Sequence, residues 1–276
     1  MKVAIVGVGN MGRHYASKFK ILGYSPILID TNPNILKKYD ESYRKYTSID
    51  EALNKEDIKY IFIATSPKLH ISLAKKALER NINTMIEKPP TLNPKELEEA
   101  INFAEKNGVY LGVSEIELHS NIVRNFQKDL KINDIQAYRL NTRSGYINPF
   151  FDLAWHDIYI LQYLFGNIKL KQVKDKGNIF EIYGETDKTD FFLQVAWNYP
   201  NVRREWILKT KEGKIIFDFA NDTIKYSDGR QEKKDNTDKL ELMIKQFIQN
   251  PSFESSYRAL QILKEFNKFD VKERIN

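Results

Sequence analysis

The fold is decided near the amino terminus by Lys2–Val6 (KVAIV) and by the glycine-rich turn Gly7–Gly12 (GVGNMG) that follows it. A continuous apolar run is typical of a strand in a parallel sheet whose two faces are both covered. The pattern G-x-G-x-x-G between a strand and a helix predicts a dinucleotide-binding turn. Gly7 makes the tight turn, Gly9 lets a pyrophosphate approach the backbone, and Gly12 lets the helix pack against the strand.

A second predicted strand, Ser25–Ile29, ends at Asp30. This is close to the spacing of roughly 20 residues at which an acid binds the adenosine ribose. A carboxylate repels the 2′-phosphate of NADP, so the sequence favours NAD as the cofactor. NADP stays open as an alternative, because Lys37 and Lys38 lie nearby.

Alternating strands and helices continue up to Val113 and predict an α/β Rossmann domain of residues 1–114 with a six-stranded, doubly wound parallel sheet. Beyond residue 114 the pattern changes to a helix over 116–130, a strand over 135–142, a helix over 152–165, a succession of strands and two closing helices. Consecutive strands indicate an α+β domain over residues 115–276 with a large, mostly antiparallel sheet. Its closing helices, 239–248 and 255–266, could pack back on the first domain.

Composition restricts the class of protein. The chain has 276 residues, of which 42% are hydrophobic and 29% charged, as in folded globular proteins. It contains no cysteine, which excludes disulfides and thiol catalysis, and no metal site is expected. Apolar runs are shorter than the ~20 residues of a membrane span and no signal peptide is visible, so a cytoplasmic protein is expected. The net charge of +6 is spread among acidic residues, which argues against nucleic acid as a partner.

Polar residues follow the ends of two later strands. Glu87-Lys88-Pro89-Pro90 comes after the predicted strand 83–86, and its prolines prevent both a helix and a further ladder. Ligands bind beyond the carboxyl ends of parallel strands, which is where Lys88 is expected. Thr65 and Ser66 follow the strand 60–64 in the same way, with His70 on the next helix. The alternatives are an exposed Glu–Lys pair before a proline turn and a surface or capping histidine.

A second cluster of polar residues opens the helix predicted over 152–165. Asp152 and His156 are four residues apart and lie on one helical face, so their side chains can meet. An Asp–His pair orients the imidazole and raises its basicity, which suits it to take a proton from a substrate hydroxyl. The alternative is a capping aspartate beside a buried histidine. Asp157 is expected on another face as a structural residue.

The glycine turn, the Glu87-Lys88-Pro89 motif and the D-x-x-x-H motif of residues 152–156 together resemble the Gfo/Idh/MocA family of oxidoreductases. The family is named for glucose–fructose oxidoreductase and inositol dehydrogenase, and the likeness covers essentially the whole chain. It implies an NAD(P)-dependent enzyme that transfers a hydride between the nicotinamide and a ring hydroxyl or ketone. The implied substrate is a sugar, a cyclitol or a nucleotide sugar.

The resemblance also implies residue roles. His156 is implied as the catalytic base, Asp152 as the group that orients it, and Lys88 as the donor that stabilises developing alkoxide charge. The residues expected to contact the cofactor are Gly7, Gly9, Asn10, Met11, Gly12, Asp30, Thr31, Thr65, Ser66, His70, Glu87, Lys88 and Pro89.

The resemblance has two departures. Residues 112–117 (GVSEIE) stand where relatives often have a Gly-Phe-x-x-Arg stretch, and Tyr159 replaces an acid that is common three residues after the histidine. The stretch 197–204 resembles members that act on nucleotide-linked aminosugars such as UDP-N-acetylglucosamine. Arg143 or Arg203 could then contact a pyrophosphate and Trp155 the substrate, although exposed strand arginines are the alternative.

Other functions stay open. The chain could be an NAD-dependent glycosidase of the same family, a reductase of an unrelated cyclic substrate, or a non-catalytic dinucleotide sensor. The family usually associates through the open face of the second-domain sheet. Here residues 191–197 alternate two largely apolar sets, so a homodimer or homotetramer is expected.

Overall fold

The computed structural model describes residues 1–127, 130–145, 147–233 and 235–272, and the chain divides into two compact units. The first unit comprises Met1–Ser114 with Leu240–Leu260, and the second comprises Glu115–Lys239 with the chain from Gln261 onward. Over the described ranges, no helix combines the length and the apolar character that a membrane span needs.

The first unit is built on one parallel sheet flanked by helices. Its strands are β1 (Lys2–Val6), β2 (Ile27–Ile29), β3 (Lys45–Tyr46), β4 (Ile58–Ile63), β5 (Asn83–Ile86) and β6 (Leu111–Val113). Its first helices are α1 (Asn10–Ile21), α2 (Pro33–Leu36), α3 (Ile49–Lys55), α4 (Pro67–Leu78) and α5 (Pro94–Lys106). Helices α2 and α5 begin where the sequence provides a cap: Asn32 and Asn93 accept a backbone N–H, and a proline occupies the first helical position.

The strand order β3-β2-β1-β4-β5-β6 confirms the predicted doubly wound sheet. The order reverses between β1 and β4, so a crevice for a ligand is expected beyond the ends of these two strands. The sequence predicts a six-stranded sheet but does not locate β3, because two residues are too few to give a hydrophobic pattern.

The second unit is built on an eight-stranded, mostly antiparallel sheet, which confirms the predicted α+β class. Its elements are a 3₁₀ turn (Ile116–His119), α6 (Asn121–Asn125), β7 (Asp134–Leu140), α7 (Pro149–Phe165), β8 (Ile168–Asp175), β9 (Ile179–Thr186), β10 (Asp190–Ala196), β11 (Arg203–Lys209), β12 (Lys214–Asp218), β13 (Thr223–Tyr226) and β14 (Gln231–Glu232). The strand order is β14-β13-β12-β11-β7-β10-β9-β8. Two closing helices follow along the chain: α8 (Lys239–Gln249) belongs to the first unit from Leu240 onward, and α9 (Glu254–Phe266) belongs to the first unit up to Leu260 and to the second from Gln261.

The prediction of one helix over 116–130 is wrong for the described part of that range, and residues 128 and 129 lie outside it. The chain instead forms the 3₁₀ turn and the short α6. Ser120 ends the turn and caps α6 by accepting the N–H of Val123 at 3.3 Å. The Asp222 carboxylate accepts the N–H groups of Asn121 and Ile122 at 3.0 and 3.2 Å, so a distant acid fixes the helix start.

Helix α7 packs on one face of the second sheet and positions the candidate catalytic residues of this unit. It begins three residues before the predicted start, because Asn148 caps it and Pro149 occupies its first position. Asp157 faces the sheet: its carboxylate accepts Arg139 Nε at 2.6 Å, Arg139 Nη2 at 3.2 Å and Trp206 Nε1 at 2.7 Å. All three residues are buried, which agrees with the structural role expected for Asp157.

Candidate active site

The strand ends of the first sheet lie in one row. Val6 is paired with Ile29 on one side and Ile63 on the other, and Ile63 is paired with Ile86. At a strand spacing of about 4.8 Å, Ile29 and Ile86 are roughly 14 Å apart. The predicted cofactor residues that follow these ends form an edge along which a dinucleotide can lie: Gly7, Asp30, Thr65 and Glu87.

The glycine turn has the geometry that a pyrophosphate site requires. Gly7 has φ +81°, and a Cβ there would lie 2.7 Å from the Ala64 carbonyl oxygen. A Cβ at Gly12 would lie 1.8 Å from the Gly7 oxygen, so helix and strand can approach only without it. At the exposed Gly9, no atom of the described residues lies within 4 Å of the Cβ position. The space beside Gly9 therefore suits a bound group rather than the protein's own packing.

Asp30 is fixed at the end of β2 by backbone donors. Val8 N–H donates to its Oδ2 at 3.0 Å and Asn32 N–H donates to its Oδ1 at 2.9 Å. The carboxylate is thereby held beside the glycine turn, where a ribose hydroxyl can donate to it. Around it, Thr31 is exposed, as is Asn10 at the start of α1, and Met11 is half-buried.

His70 does not present its ring to a ligand, contrary to its predicted role as a cofactor contact. The residue is fully buried. Its Nδ1 lies 3.1 Å from the Pro89 carbonyl oxygen and its Nε2 lies 3.1 Å from the Thr65 carbonyl oxygen. Burial lowers the pKa of His70, against the effect of these carbonyl groups. His70 is a positioning residue that joins the Thr65–Ser66 turn to the Lys88–Pro89 turn.

Glu87 lies among hydroxyl groups. Tyr15 Oη–H donates to Glu87 Oε1 at 2.5 Å, and Lys88 N–H donates to Oε2 at 3.2 Å. Tyr15 is buried and also lies 3.4 Å from Ser114 Oγ. Burial raises the pKa of Glu87, while the Tyr15 hydrogen bond and the positive charge of Lys88 act to lower it. Burial also raises the pKa of Tyr15 well above its usual value. Glu87 thus anchors the backbone of Lys88 to the core.

His156 is held by Tyr159 on the same stripe of α7. Its Nδ1 lies 3.1 Å from Tyr159 Oη, which also accepts Glu117 N–H at 3.1 Å. Tyr159 is fully buried, and burial is the main cause that raises its pKa well above the usual value, so the phenol stays neutral. His156 and Asp152 are both half-buried. The residue that departs from the family pattern is therefore the one that supports the histidine.

Two of the three candidate substrate residues are in the wrong place for that role. Trp155 is fully buried and packs edge-on against Phe266 with 5.8 Å between ring centroids, so it belongs to the core. Arg203 lies on the sheet face opposite α7, where it stacks over Tyr138 at 3.5 Å and pairs with Glu205 at 2.6 Å. Strand parity explains the error, because consecutive residues of β11 point to opposite faces. Arg143 is exposed, and its role as a substrate contact stays a prediction.

Sequence reasoning missed three residues of these clusters. Tyr159 could have been found from its position three residues after His156 on one helical face. Tyr15 follows the glycine turn at helical spacing, but its contact with Glu87, 72 residues away, leaves no trace in the pattern. Arg204 shares the face of Trp206, and a strand prediction with the correct parity would have selected it instead of Arg203.

Comparisons with known proteins agree with this architecture. Residues 1–115 match the sequence model described as "Oxidoreductase family, NAD-binding Rossmann fold" (GFO_IDH_MocA). A UDP-N-acetylglucosamine 3-dehydrogenase of Acidithiobacillus ferrooxidans is 27% identical over 204 residues, which are 71% of this chain and 62% of that protein. A glycosyl hydrolase family 109 protein of Phocaeicola vulgatus is 29% identical over 118 residues, which are 38% of this chain and 23% of that protein. The chain thus spans about three fifths of the dehydrogenase and about a quarter of the hydrolase.

A solved structure extends the likeness in fold to both units. The structure of UDP-N-acetylglucosamine 3-dehydrogenase from Acidithiobacillus ferrooxidans matches 97% of this chain and 96% of its own with a TM-score of 0.84 and 21% identity. The strand order, the glycine turn and the sequence match point to one assignment. Residues 1–115 match the NAD-binding Rossmann domain of the Gfo/Idh/MocA oxidoreductase family, and both units share the fold of the solved dehydrogenase.

Proposed function

We propose that this chain is an NAD-dependent dehydrogenase that oxidises a ring hydroxyl of a sugar, cyclitol or nucleotide sugar, or reduces the corresponding ketone. The observation that carries the proposal is the row of paired strand ends. In this row, the end of the strand before the Lys88 turn lies three strand spacings from the end of the strand before Asp30. The ribose acid and the proposed catalytic lysine then suit opposite ends of one dinucleotide. The dehydrogenase relative supports a sugar substrate, and a nucleotide sugar is the finer proposal.

NAD, when bound, supplies the hydride acceptor. Lys88 donates a hydrogen bond to the substrate oxygen and stabilises the negative charge that develops there as the O–H proton leaves. Glu87 fixes the backbone of Lys88, and His70 fixes the turn at Pro89. The backbone from which the Lys88 side chain extends is therefore held in place on both sides.

His156 takes the proton of the substrate hydroxyl. For Nε2 to accept it, Nδ1 must carry the ring hydrogen and donate it. Tyr159 Oη has two acceptor lone pairs and can take this hydrogen together with that of Glu117 N–H. Asp152, one turn earlier on the same face, favours the imidazolium that results. Tyr159 is a positioning residue that fixes the tautomer of the base.

The finer features of the cofactor and partner are part of the same proposal. The Asp30 carboxylate disfavours a 2′-phosphate, so NAD should bind more tightly than NADP. A second copy of the chain should bind the open sheet face, where the Phe192 ring packs at an angle against Tyr183 and Tyr138, with centroids 5.1 and 6.0 Å away. Of the two sets in β10, Phe191, Leu193 and Val195 are buried on the helix side, which leaves Phe192 and Gln194 on the open face. A monodisperse monomer by light scattering would contradict this association.

The test is turnover in wild type, Lys88→Ala and His156→Ala, followed as NADH formed from a panel of UDP-sugars, free sugars and inositol. Each substitution should lower kcat by about 10²–10⁴-fold while the Kd of NAD changes little. Lys76→Ala, which removes a lysine paired with Asp50 on an exposed face, is the matched control and should leave kcat unchanged. Turnover that survives both alanine substitutions would remove the proposed chemistry.

A glycosidase that uses NAD without net consumption is the second candidate, favoured by the match to a glycosyl hydrolase family 109 protein. It predicts cleavage of a nitrophenyl glycoside with no accumulation of NADH. The dehydrogenase predicts NADH accumulation and no cleavage.

A further inference from the structure

Strand parity places one arginine of β11 on the same face as α7. Trp206 and Leu208 are fully buried on that face, so Arg204 shares it and Arg203 does not. The register confirms this, since Arg204 is paired directly with Arg139 of β7, whose guanidinium contacts Asp157 of α7. The two arginines therefore lie side by side on the α7 side of the sheet.

The two arginines differ in their partners. Arg139 has the Asp157 carboxylate. Arg204 Nε and Nη2 both donate to Asn141 Oδ1, at 3.2 and 2.8 Å, and this oxygen is neutral. Within the described ranges, no carboxylate lies at ion-pair distance from Arg204. The carboxylate of Glu117, an acid that interacts electrostatically with Arg204, forms an ion pair with Lys239, with Nζ 2.8 Å from Oε2.

The position of Arg204 is electrostatically unfavourable for a cation. Burial of part of its side chain and the neighbouring Arg139 charge lower its pKa, against the attraction of Glu117 and Asp157. An anion bound at this point would relieve that repulsion. The residue is nevertheless exposed, so a ligand can reach it.

Contacts link Arg204 to the neighbourhood of the proposed base, because its register partner Arg139 contacts Asp157, the residue that follows His156. Both Arg204 and Tyr159 interact electrostatically with Glu117 and Arg139, and Tyr159 Oη lies 3.1 Å from His156 Nδ1. Asn141 is buried and engages the Nε–Nη2 edge of the guanidinium, so the Nη1–Nη2 edge remains for a second acceptor. Two parallel N–H groups on that edge match a carboxylate or phosphate.

We propose that Arg204, oriented by Asn141, binds an anionic group of the substrate, through carboxylate or phosphate oxygens, next to His156. This inference rests on the proposed function for the identity of the ligand as substrate. The proposed substrate contact is thus Arg204 rather than Arg203. We expect substrates that carry a negative charge to bind more tightly than neutral sugars.

The test measures binding alone, by calorimetry with NAD present, so it does not depend on turnover. The probes are UDP for a phosphate group, glucuronate for a carboxylate, and myo-inositol as a neutral polyol. Wild type should bind UDP or glucuronate, and the stronger of the two identifies the anion. Arg204→Gln should weaken that probe by about tenfold or more, as expected for a lost charge-assisted pair, and leave NAD binding intact.

Two further variants make the result specific. Arg230→Gln removes one exposed arginine from the β13–β14 hairpin and should leave the affinity for the anionic probe unchanged. Arg204→Lys keeps the charge but loses the two-pronged edge, and its affinity should be intermediate. Equal binding by wild type and Arg204→Gln, no binding of either anion to wild type at millimolar concentration, or equal loss in Arg230→Gln would each overturn the inference. Anion binding through Arg204 without turnover would instead reject the proposed function alone.

Discussion

Two carboxylates, the half-buried Glu87 of the first unit and the buried Asp157 of the second, are held in different ways. Asp157 accepts two hydrogen bonds from the Arg139 guanidinium and one from Trp206, with both members of the ion pair almost wholly covered. Glu87 accepts hydrogen bonds from the Tyr15 hydroxyl and from Lys88 N–H. The difference indicates that Asp157 holds helix to sheet, whereas Glu87 supports a turn that is proposed to do chemistry.

The largest expected effect is at Asp157. Asp157→Asn leaves the Arg139 guanidinium buried without its counter-charge, and we expect the free energy of unfolding to fall by about 3–5 kcal/mol. Urea denaturation followed by circular dichroism measures it. Asp152→Asn, the same change at a half-buried position of α7, is the control for stability. A loss below about 1 kcal/mol at Asp157 would mean that the ion pair does not hold the helix.

A smaller effect is expected from Tyr15→Phe. The phenylalanine fills the same space and removes the hydroxyl that donates to Glu87, so the free energy of unfolding should fall by about 1.5–3 kcal/mol near neutral pH. Loss of this donor should also raise the pKa of Glu87 further. Unchanged stability in the same denaturation experiment would show that the Glu87 carboxylate does not accept a hydrogen bond from Tyr15 in solution.

The smallest effect is expected from Glu87→Gln, which should change the free energy of unfolding by no more than about 1 kcal/mol, because a neutral amide has no charge to bury. The comparison with Asp157→Asn is direct, since both replace a carboxylate by its amide.

The free energy of unfolding of wild type, compared with that of Glu87→Gln at several pH values, tests the direction in which folding shifts the pKa of Glu87. The folded state raises the pKa of Glu87 above its ordinary value of about 4.5. The folded protein therefore binds more protons than the unfolded chain between that value and the folded pKa. The stabilisation from the protonated form is present below 4.5 and is lost as pH rises through the folded pKa. Wild type should lose stability relative to Glu87→Gln over this window, and a difference that is constant with pH would show that folding does not raise the pKa of Glu87.

A change in turnover separates the roles of the two units further. Tyr159→Phe removes the acceptor for His156 Nδ1 and should lower kcat by roughly tenfold, with a shift in the pH profile of kcat and little change in the KM of NAD. A merely structural role would leave the pH profile unmoved.

The sites differ in how far they could be predicted. The glycine turn, Asp30 and the Lys88 turn follow strand ends directly, so their neighbourhood could be deduced from strand order and local pattern. The residues that support them could not: Tyr15 reaches Glu87 from another helix, and His70 turns inward. In the second unit the D-x-x-x-H pattern located His156, but the selection of Arg203 failed because its parity was not fixed by the sequence.

The periodicities of the chain can be read from local sequence: a strand, a glycine turn and a helix at the start, the polar breaks after buried strands, and one helix with an acid and a histidine on one face. These are local properties, set by backbone sterics and by side-chain spacing of about 2 and 3.6 residues. The partners of the charged groups, by contrast, follow from the packing of distant segments. Arg139 is paired with the buried Asp157, the half-buried Glu87 with Tyr15, and the exposed Arg204 with Asn141, because hydrogen bonds between distant segments depend on register and helix placement rather than on neighbouring sequence.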